Sequence, residues 1–180
     1  MSLADAVKTA ARLIFDAEGC RTEAYLDTLA SIPMWTIGFG TTFIGQRPVR
    51  SGMTCTLDQA YAWAEAVITE TAKFVDTKVI MPLNDNQLAA LTSFVYNCGD
   101  GTFERSNVLA ELNAGFYLEA ANRLLDYDEA GDRVVGGLEL RRERERALFL
   151  KPPAIASTPS PDSADALNDA ELQKLRDMPS

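Results

Sequence analysis

The chain has 180 residues, 47% of them apolar, enough to build a buried core without disulfide or metal staples, and its formal charge of −9 excludes the clustered basic surface of a nucleic-acid binder. It contains no histidine, so Ser-His-Asp and Cys-His nucleophile systems, histidine-ligated zinc hydrolases and histidine acid–base pairs are excluded, and any proton transfer falls to carboxylates, Lys, Tyr or Cys. Three cysteines, Cys20, Cys55 and Cys98, are odd in number and far apart; they indicate neither a disulfide framework nor a thiolate zinc site, and are expected to be reduced.

In chain order, Leu3, Val7, Ala10, Ala11 and Ile14 fall at helical spacing and predict a helix over 3–17. Gly19 is the residue type favoured just past a helix end, so Glu18 is expected at a helix C-terminus. Over 24–49 the pattern changes to short strands and turns rich in Thr, Ile, Phe and Trp, punctuated by Gly38, Gly40, Gly45 and Pro48, which predicts a small twisted β-region. Thr56 followed by Gln59 forms a capping-box pattern and opens a long helix to about residue 75; Asn84 with Gln87 repeats the signal and opens an all-round apolar helix over 85–97, expected to be the central buried one. Two further helices are predicted over 103–113 and 116–126, separated by Gly115, and a last over 138–150, stopped by Pro152 and Pro153. The rest, 154–180, begins as a Pro/Ser/Ala linker and ends in a short amphipathic stretch with Leu167, Leu172 and Leu175, expected to be a weakly docked helix or a tail. Apolar runs fall well short of the ~20 residues a membrane span requires, and the N-terminus has no basic, apolar and small-residue succession of a signal peptide. Synthesis in a cytoplasm, without stable membrane insertion, is the expectation.

Glycoside hydrolysis needs one protonated and one ionised carboxyl on either side of the scissile bond. Glu18 leaving a helix and Asp27 entering a β-region place two acids at a helix-to-sheet junction, a natural cleft wall. The run Glu18-Gly19, Ala24-Tyr25-Leu26-Asp27 and Trp35-Thr36-Ile37-Gly38-Phe39-Gly40-Thr41-Thr42 resembles the N-terminal active-site block of phage lysozymes, glycoside hydrolase family 24. The resemblance continues in order through Gly52-Met53-Thr54, Asn86 to Gly99, Gly101, Phe103, Ser106, Leu112 to Gly115, Gly137-Leu138 and Arg141-Arg142 with Glu145.

This resemblance implies an α+β, two-lobed lysozyme-like fold: a catalytic domain over 1–151, with a β-lobe at about 24–54 and a helical lobe at about 55–151, followed by the 152–180 linker and tail. It implies an endolysin, needing no metal or organic cofactor, that cleaves the β-1,4 bond between N-acetylmuramic acid and N-acetylglucosamine of bacterial peptidoglycan with inversion, as a monomer that reaches the wall through a separate holin-type pore. Glu18 becomes the general acid, Asp27 its partner and Thr36 a ligand of the attacking water; Thr42, Tyr96, Ser106 and Asn122 become sugar contacts, and Arg141 an ion-pair partner of the acid. Two features depart from the family pattern: the segment from Thr28 to Trp35 is longer and carries Pro33, so the hairpin is expected to bulge, and Thr41 stands where a histidine is common. The charge of −9 also gives no long-range attraction to a polyanionic wall. Plainer readings stand beside these: Asp27 as a turn residue, Thr36 as an ordinary strand residue, Tyr96 as a core side chain, and Arg141 as one charge on a solvated helix face. Cys20, two residues from Glu18, admits a redox role. At the level of function, the alternatives are a lysozyme-fold protein that holds glycan without cutting it and a lytic transglycosylase.

Overall fold

A computed structural model describes residues 2–28, 32–130, 133, 134 and 136–152, with backbone only at 129, 130, 133 and 134. The first helix, α1, runs Leu3–Glu18 and turns Ala6, Val7, Ala10 and Ile14 inward. Gly19 ends it at φ +63°, a conformation that L side chains avoid, with its N–H on the Phe15 carbonyl at 3.3 Å. The chain passes directly into β1, Arg21–Asp27, which pairs antiparallel with β2, Met34–Gly38. Tyr25 lies opposite Thr36, Leu26 opposite Trp35 and Asp27 opposite Met34.

The register slips between Arg21, which pairs with Gly38, and Tyr25. This places an irregularity inside β1 itself. Its cause is a second partner: Ala24 N–H reaches the Met53 carbonyl and Cys55 N–H the Thr22 carbonyl, each at 2.9 Å, so part of β1 pairs with the segment entering the next helix. A two-residue pair, β3 Phe43–Ile44 with β4 Arg47–Pro48, completes the β-region. Gly38, at φ +66°, is required as glycine for a further reason: a Cβ there would stand 3.1 Å from the Ala60 Cβ.

Both capping boxes form. Thr56 and Gln59 exchange bonds of 3.2 and 2.9 Å at the start of α2, Leu57–Lys78; Asn84 and Gln87 do so at 3.0 and 2.9 Å at the start of α3, Asp85–Cys98. Each satisfies orphan amides at both ends of the box. Residues Leu88 to Val95 of α3 are all buried, which makes it the central helix, packed against α1 and α2.

After α3 the structure corrects the expected boundaries. The helix expected over 103–113 is two, α4 Asp100–Glu104 and α5 Asn107–Asn113, because the Ser106 hydroxyl caps a new helix. The one expected over 116–126 is α6, Tyr117–Arg123, tightening to a 3-10 turn over Leu124–Asp126. A small hairpin, β5 Glu129–Ala130 with β6 Arg133–Val134, had no counterpart in the pattern. The last helix, α7, is Gly136–Phe149 and lies along α3.

Two apolar clusters hold the molecule. One joins α3 to α4, α5, the 3-10 turn and α7 through Leu91, Phe94, Phe103, Leu112, Leu124 and Phe149. The other joins α1 and α2 to the end of β2 through Ile14, Phe39, Ala64 and Ile68, capped by the rings of Phe15, Phe39 and Tyr61 at centroid distances of 4.3 to 5.0 Å. The second cluster fixes the β-region against α1, and so fixes the place of Glu18. Among the described residues no helix is long and apolar enough to cross a membrane. Apart from Pro152, the expected linker and tail over 152–180 lie outside the described residues.

Candidate active site

Glu18 is the last residue of α1, and its side chain keeps 27% of its surface open. Its Oε1 accepts a hydrogen bond from Arg141 Nη1 at 2.6 Å, reaching across from α7. Arg141 is 6% exposed and therefore belongs to the interior; the reading of it as one charge on a solvated face is excluded.

Three groups fix that guanidinium. Nη1 takes Glu18, Nη2 donates to the Ser93 carbonyl at 3.2 Å, and Nε donates to Glu145 Oε1 at 3.1 Å. Glu145 is fully buried, and its Oε1 also accepts from Ser93 Oγ at 2.7 Å and Arg142 Nη2 at 2.8 Å. Arg142, fully buried too, rests over the Phe94 ring at 5.0 Å, donates Nη1 to Cys98 Sγ at 3.0 Å, and brings Nε to 2.8 Å from Glu145 Oε2. That last contact is ionic, since it lies off the hydrogen-bond direction. The chain Arg142–Glu145–Arg141–Glu18 alternates in sign from the core to the opening.

Sequence reasoning singled out Arg141 and missed Glu145, Arg142 and Ser93 as parts of this assembly. A signal was present: positions 141, 142, 145 and 149 share one helix face, and Phe149 is apolar, which marks that face as inward.

Tyr96, on α3, donates its hydroxyl to the Phe39 carbonyl at 2.6 Å and so ties the end of β2 to the central helix. Burial first, and the Glu18 charge next, push its phenol up to about 12, so it remains a neutral hydroxyl at any physiological pH. With its donor committed, only its oxygen could meet a sugar, as an acceptor. Tyr25, on β1, is also within electrostatic reach of Glu18. Its phenol is pushed up by burial, by Asp27 and by Glu18, while Arg21, stacked 4.3 Å over the ring, pulls it down. Both acids therefore act on one side chain, and the structure brings Glu18 and Asp27 into a common neighbourhood.

Asp27 is half-buried at the end of β1. Thr36 shares the hairpin face with its partner Tyr25, and with Asp27 two residues further along the strand. It is 3% exposed, and its Oγ1 donates to the Met34 carbonyl at 3.2 Å, leaving the oxygen lone pairs to accept.

The remaining expected sugar contacts fare differently. Thr42 is half-buried in the loop before β3, its carbonyl holding Val49 N–H at 2.8 Å. Asn122 is exposed on α6, its Oδ1 held by Arg146 Nε at 2.9 Å. Ser106 is buried, donating to the Phe103 carbonyl at 2.7 Å and accepting from Leu109 N–H at 3.1 Å, so its hydroxyl serves as a helix cap. Thr41, in the place of the family's frequent histidine, is buried with its hydroxyl unpartnered. Cys20, Cys55 and Cys98 carry free thiols, all pushed up by burial, which opposes the thiolate character a redox role for Cys20 would need.

The family described as Phage lysozyme matches residues 16–145, a stretch that includes Glu18, Asp27, Thr36, Arg141 and Glu145. The chain belongs to the phage lysozyme family. It is 39% identical over 134 residues to the endolysin of Salmonella phage P22, covering 74% of this chain and 89% of that one. It is 35% identical over 138 residues to the endolysin of Bacillus phage B103, covering 77% of this chain and 51% of that one, so it spans about half of that relative's length. Among solved structures, the endolysin from Escherichia coli O157:H7 phage FAHEc1 superposes with a TM-score of 0.73 at 30% identity, covering 84% of this chain and 94% of that one.

Proposed function

We propose that this phage lysozyme is an endolysin that hydrolyses the β-1,4 bond between N-acetylmuramic acid and N-acetylglucosamine of bacterial peptidoglycan, with inversion, to lyse the host cell. The observation that carries the reading is the pairing of a partly open Glu18, held by Arg141, with Asp27 in the same neighbourhood around Tyr25. Glu18 donates its proton to the leaving glycosidic oxygen as the C–O bond breaks. A water on the opposite sugar face gives one proton to Asp27 and hydrogen-bonds to the acceptor lone pairs of Thr36, and its oxygen attacks the anomeric carbon. In an inverting site the carboxyls stand roughly 6.5 to 9.5 Å apart to admit that water. The −9 charge of the whole chain leaves the approach to the wall unassisted, so recognition rests on contacts within the cleft, where Thr42, Tyr96 and Asn122 are the proposed sugar partners. The enzyme acts as a monomer and is carried to the wall through a holin-type pore made by another protein.

The lytic transglycosylase alternative uses a single acid and closes the sugar on itself, and a glycan-holding protein releases nothing. Mass spectrometry of fragments released from purified wall separates the three. Reducing ends heavier than an anhydro-sugar by one water are expected; anhydro ends, or no release, contradict the assignment.

A further inference from the structure

An arginine bonded to a catalytic acid presents a conflict. The guanidinium of Arg141 orients Glu18 through a 2.6 Å bond, yet a full cation at that distance favours the ionised carboxyl, and a general acid must hold its proton until the leaving group needs it. Buried at 6% exposure, Arg141 has little solvent to screen it.

We propose that Glu145 is a positioning residue for this reaction: its buried carboxylate shares the Arg141 charge, so that Arg141 can orient Glu18 without drawing off its proton. The inference rests on Glu18 being the general acid. Its support is the geometry of the alternating chain. Glu145 Oε1 gathers three donors, from Ser93, Arg141 and Arg142. Its Oε2 lies 2.8 Å from Arg142 Nε, an ionic contact off the hydrogen-bond direction. Burial pushes this carboxyl up, while Arg142, Arg141 and the Ser93 hydroxyl pull the other way; three donors on Oε1 and a guanidinium beside Oε2 favour the ionised form. The Glu145 carboxylate then answers part of the charge of the two guanidiniums, and Arg141 is divided between an inner carboxylate and the outer acid. Without the inner charge, both cations would bear on Glu18.

The groups facing Glu18 are Arg141 from α7, Tyr96 from α3 and Tyr25 from β1; the groups facing Glu145 are Ser93 and Cys98 from α3 and Arg141 and Arg142 from its own helix. Both phenols are pushed up and stay neutral through the acid and neutral range, and burial pushes the Cys98 thiol up as well. Glu145 answers the Arg141 charge with one of opposite sign.

The test is the pH dependence of kcat/KM on soluble glycan fragments from about pH 4 to about pH 9, for the wild type, Glu145→Gln and Glu145→Asp. Glu145→Gln keeps the shape and removes the charge; the alkaline limb, which reports loss of the acid's proton, is expected to move down by about one pH unit, a roughly tenfold loss of rate above the limb with little change below it. Glu145→Asp keeps the charge, and its limb is expected at the wild-type position whatever its stability. A purely structural role lowers the melting temperature of both variants and moves neither limb, and a folded Glu145→Gln with the wild-type profile overturns the proposal. Should Glu145→Gln fail to fold, Ser93→Ala, which removes only a hydroxyl that stabilises the inner carboxylate, is read in its place: a downward shift supports the proposal and an unmoved limb overturns it. Retained activity in Glu18→Gln would instead remove the functional reading on which the inference rests.

Discussion

Replacing Glu18 with Gln is expected to abolish lysis of a wall suspension while leaving the protein folded. Loss of a general acid costs about 10²- to 10⁴-fold in rate, and the amide retains the shape of the side chain without a transferable proton. The fold should tolerate the change for two reasons. Arg141 keeps the Ser93 carbonyl and the Glu145 carboxylate, so its cation is not abandoned in the interior. Glu18 is also the last residue of α1 with a partly open side chain, so the isosteric amide leaves the packing of the helix unchanged. Turbidity clearance and a thermal melt on the same preparation check both halves. Clearance at the wild-type rate would sink the assignment of Glu18.

The largest effect on stability is expected at Arg142, which makes no contact with Glu18. Arg142→Ala should destabilise the fold by about 3 to 5 kcal/mol, measured by chemical denaturation, because breaking a buried ion pair leaves its partner charge stranded. Several contacts vanish together: two on Glu145, one on Cys98 and the face of Phe94. A domain of this size has about 5 to 15 kcal/mol in all, so the variant would be marginal at body temperature. The exposed pair of Lys73 and Glu70, at 2.7 Å, makes a useful contrast. Its bond is as short as those of Arg142, yet both side chains stay in water, and Lys73→Ala should change stability by less than about 1 kcal/mol. Equal effects from the two substitutions would mean that the buried cluster is not the structural unit described.

What could be read in advance follows from which signals are local. Helix α1, the two capping boxes and the buried run of α3 were legible because each is written in residues three or four apart. The places of Glu18 at a helix end and of Asp27 in the β-region were legible because the helix ends at Gly19 and the β-region begins soon after. The break at Ser106 was hidden, since helices of five and seven residues are too short to show a period, and the 129–134 hairpin has strands of only two residues. The Arg142–Glu145 cluster was hidden for a different reason: a segment with Glu139, Arg141, Arg142, Glu143, Arg144, Glu145 and Arg146 looks solvated, and only the tertiary packing of α7 on α3 decides which of those charges are taken from water. The slip in β1 came from its second partner at 53–55, which no local rule in the hairpin announces.

The proposed mechanism places a water between Asp27 and Thr36 on the face of the sugar opposite Glu18. Proton NMR of a soluble glycan, recorded within the first turnovers and before mutarotation, reports that geometry directly. The new reducing end is predicted to emerge as the α-anomer, inverted from the β-linkage it came from. A β-anomer appearing first would mean that the carboxylate and not the water attacks, and would contradict the mechanism.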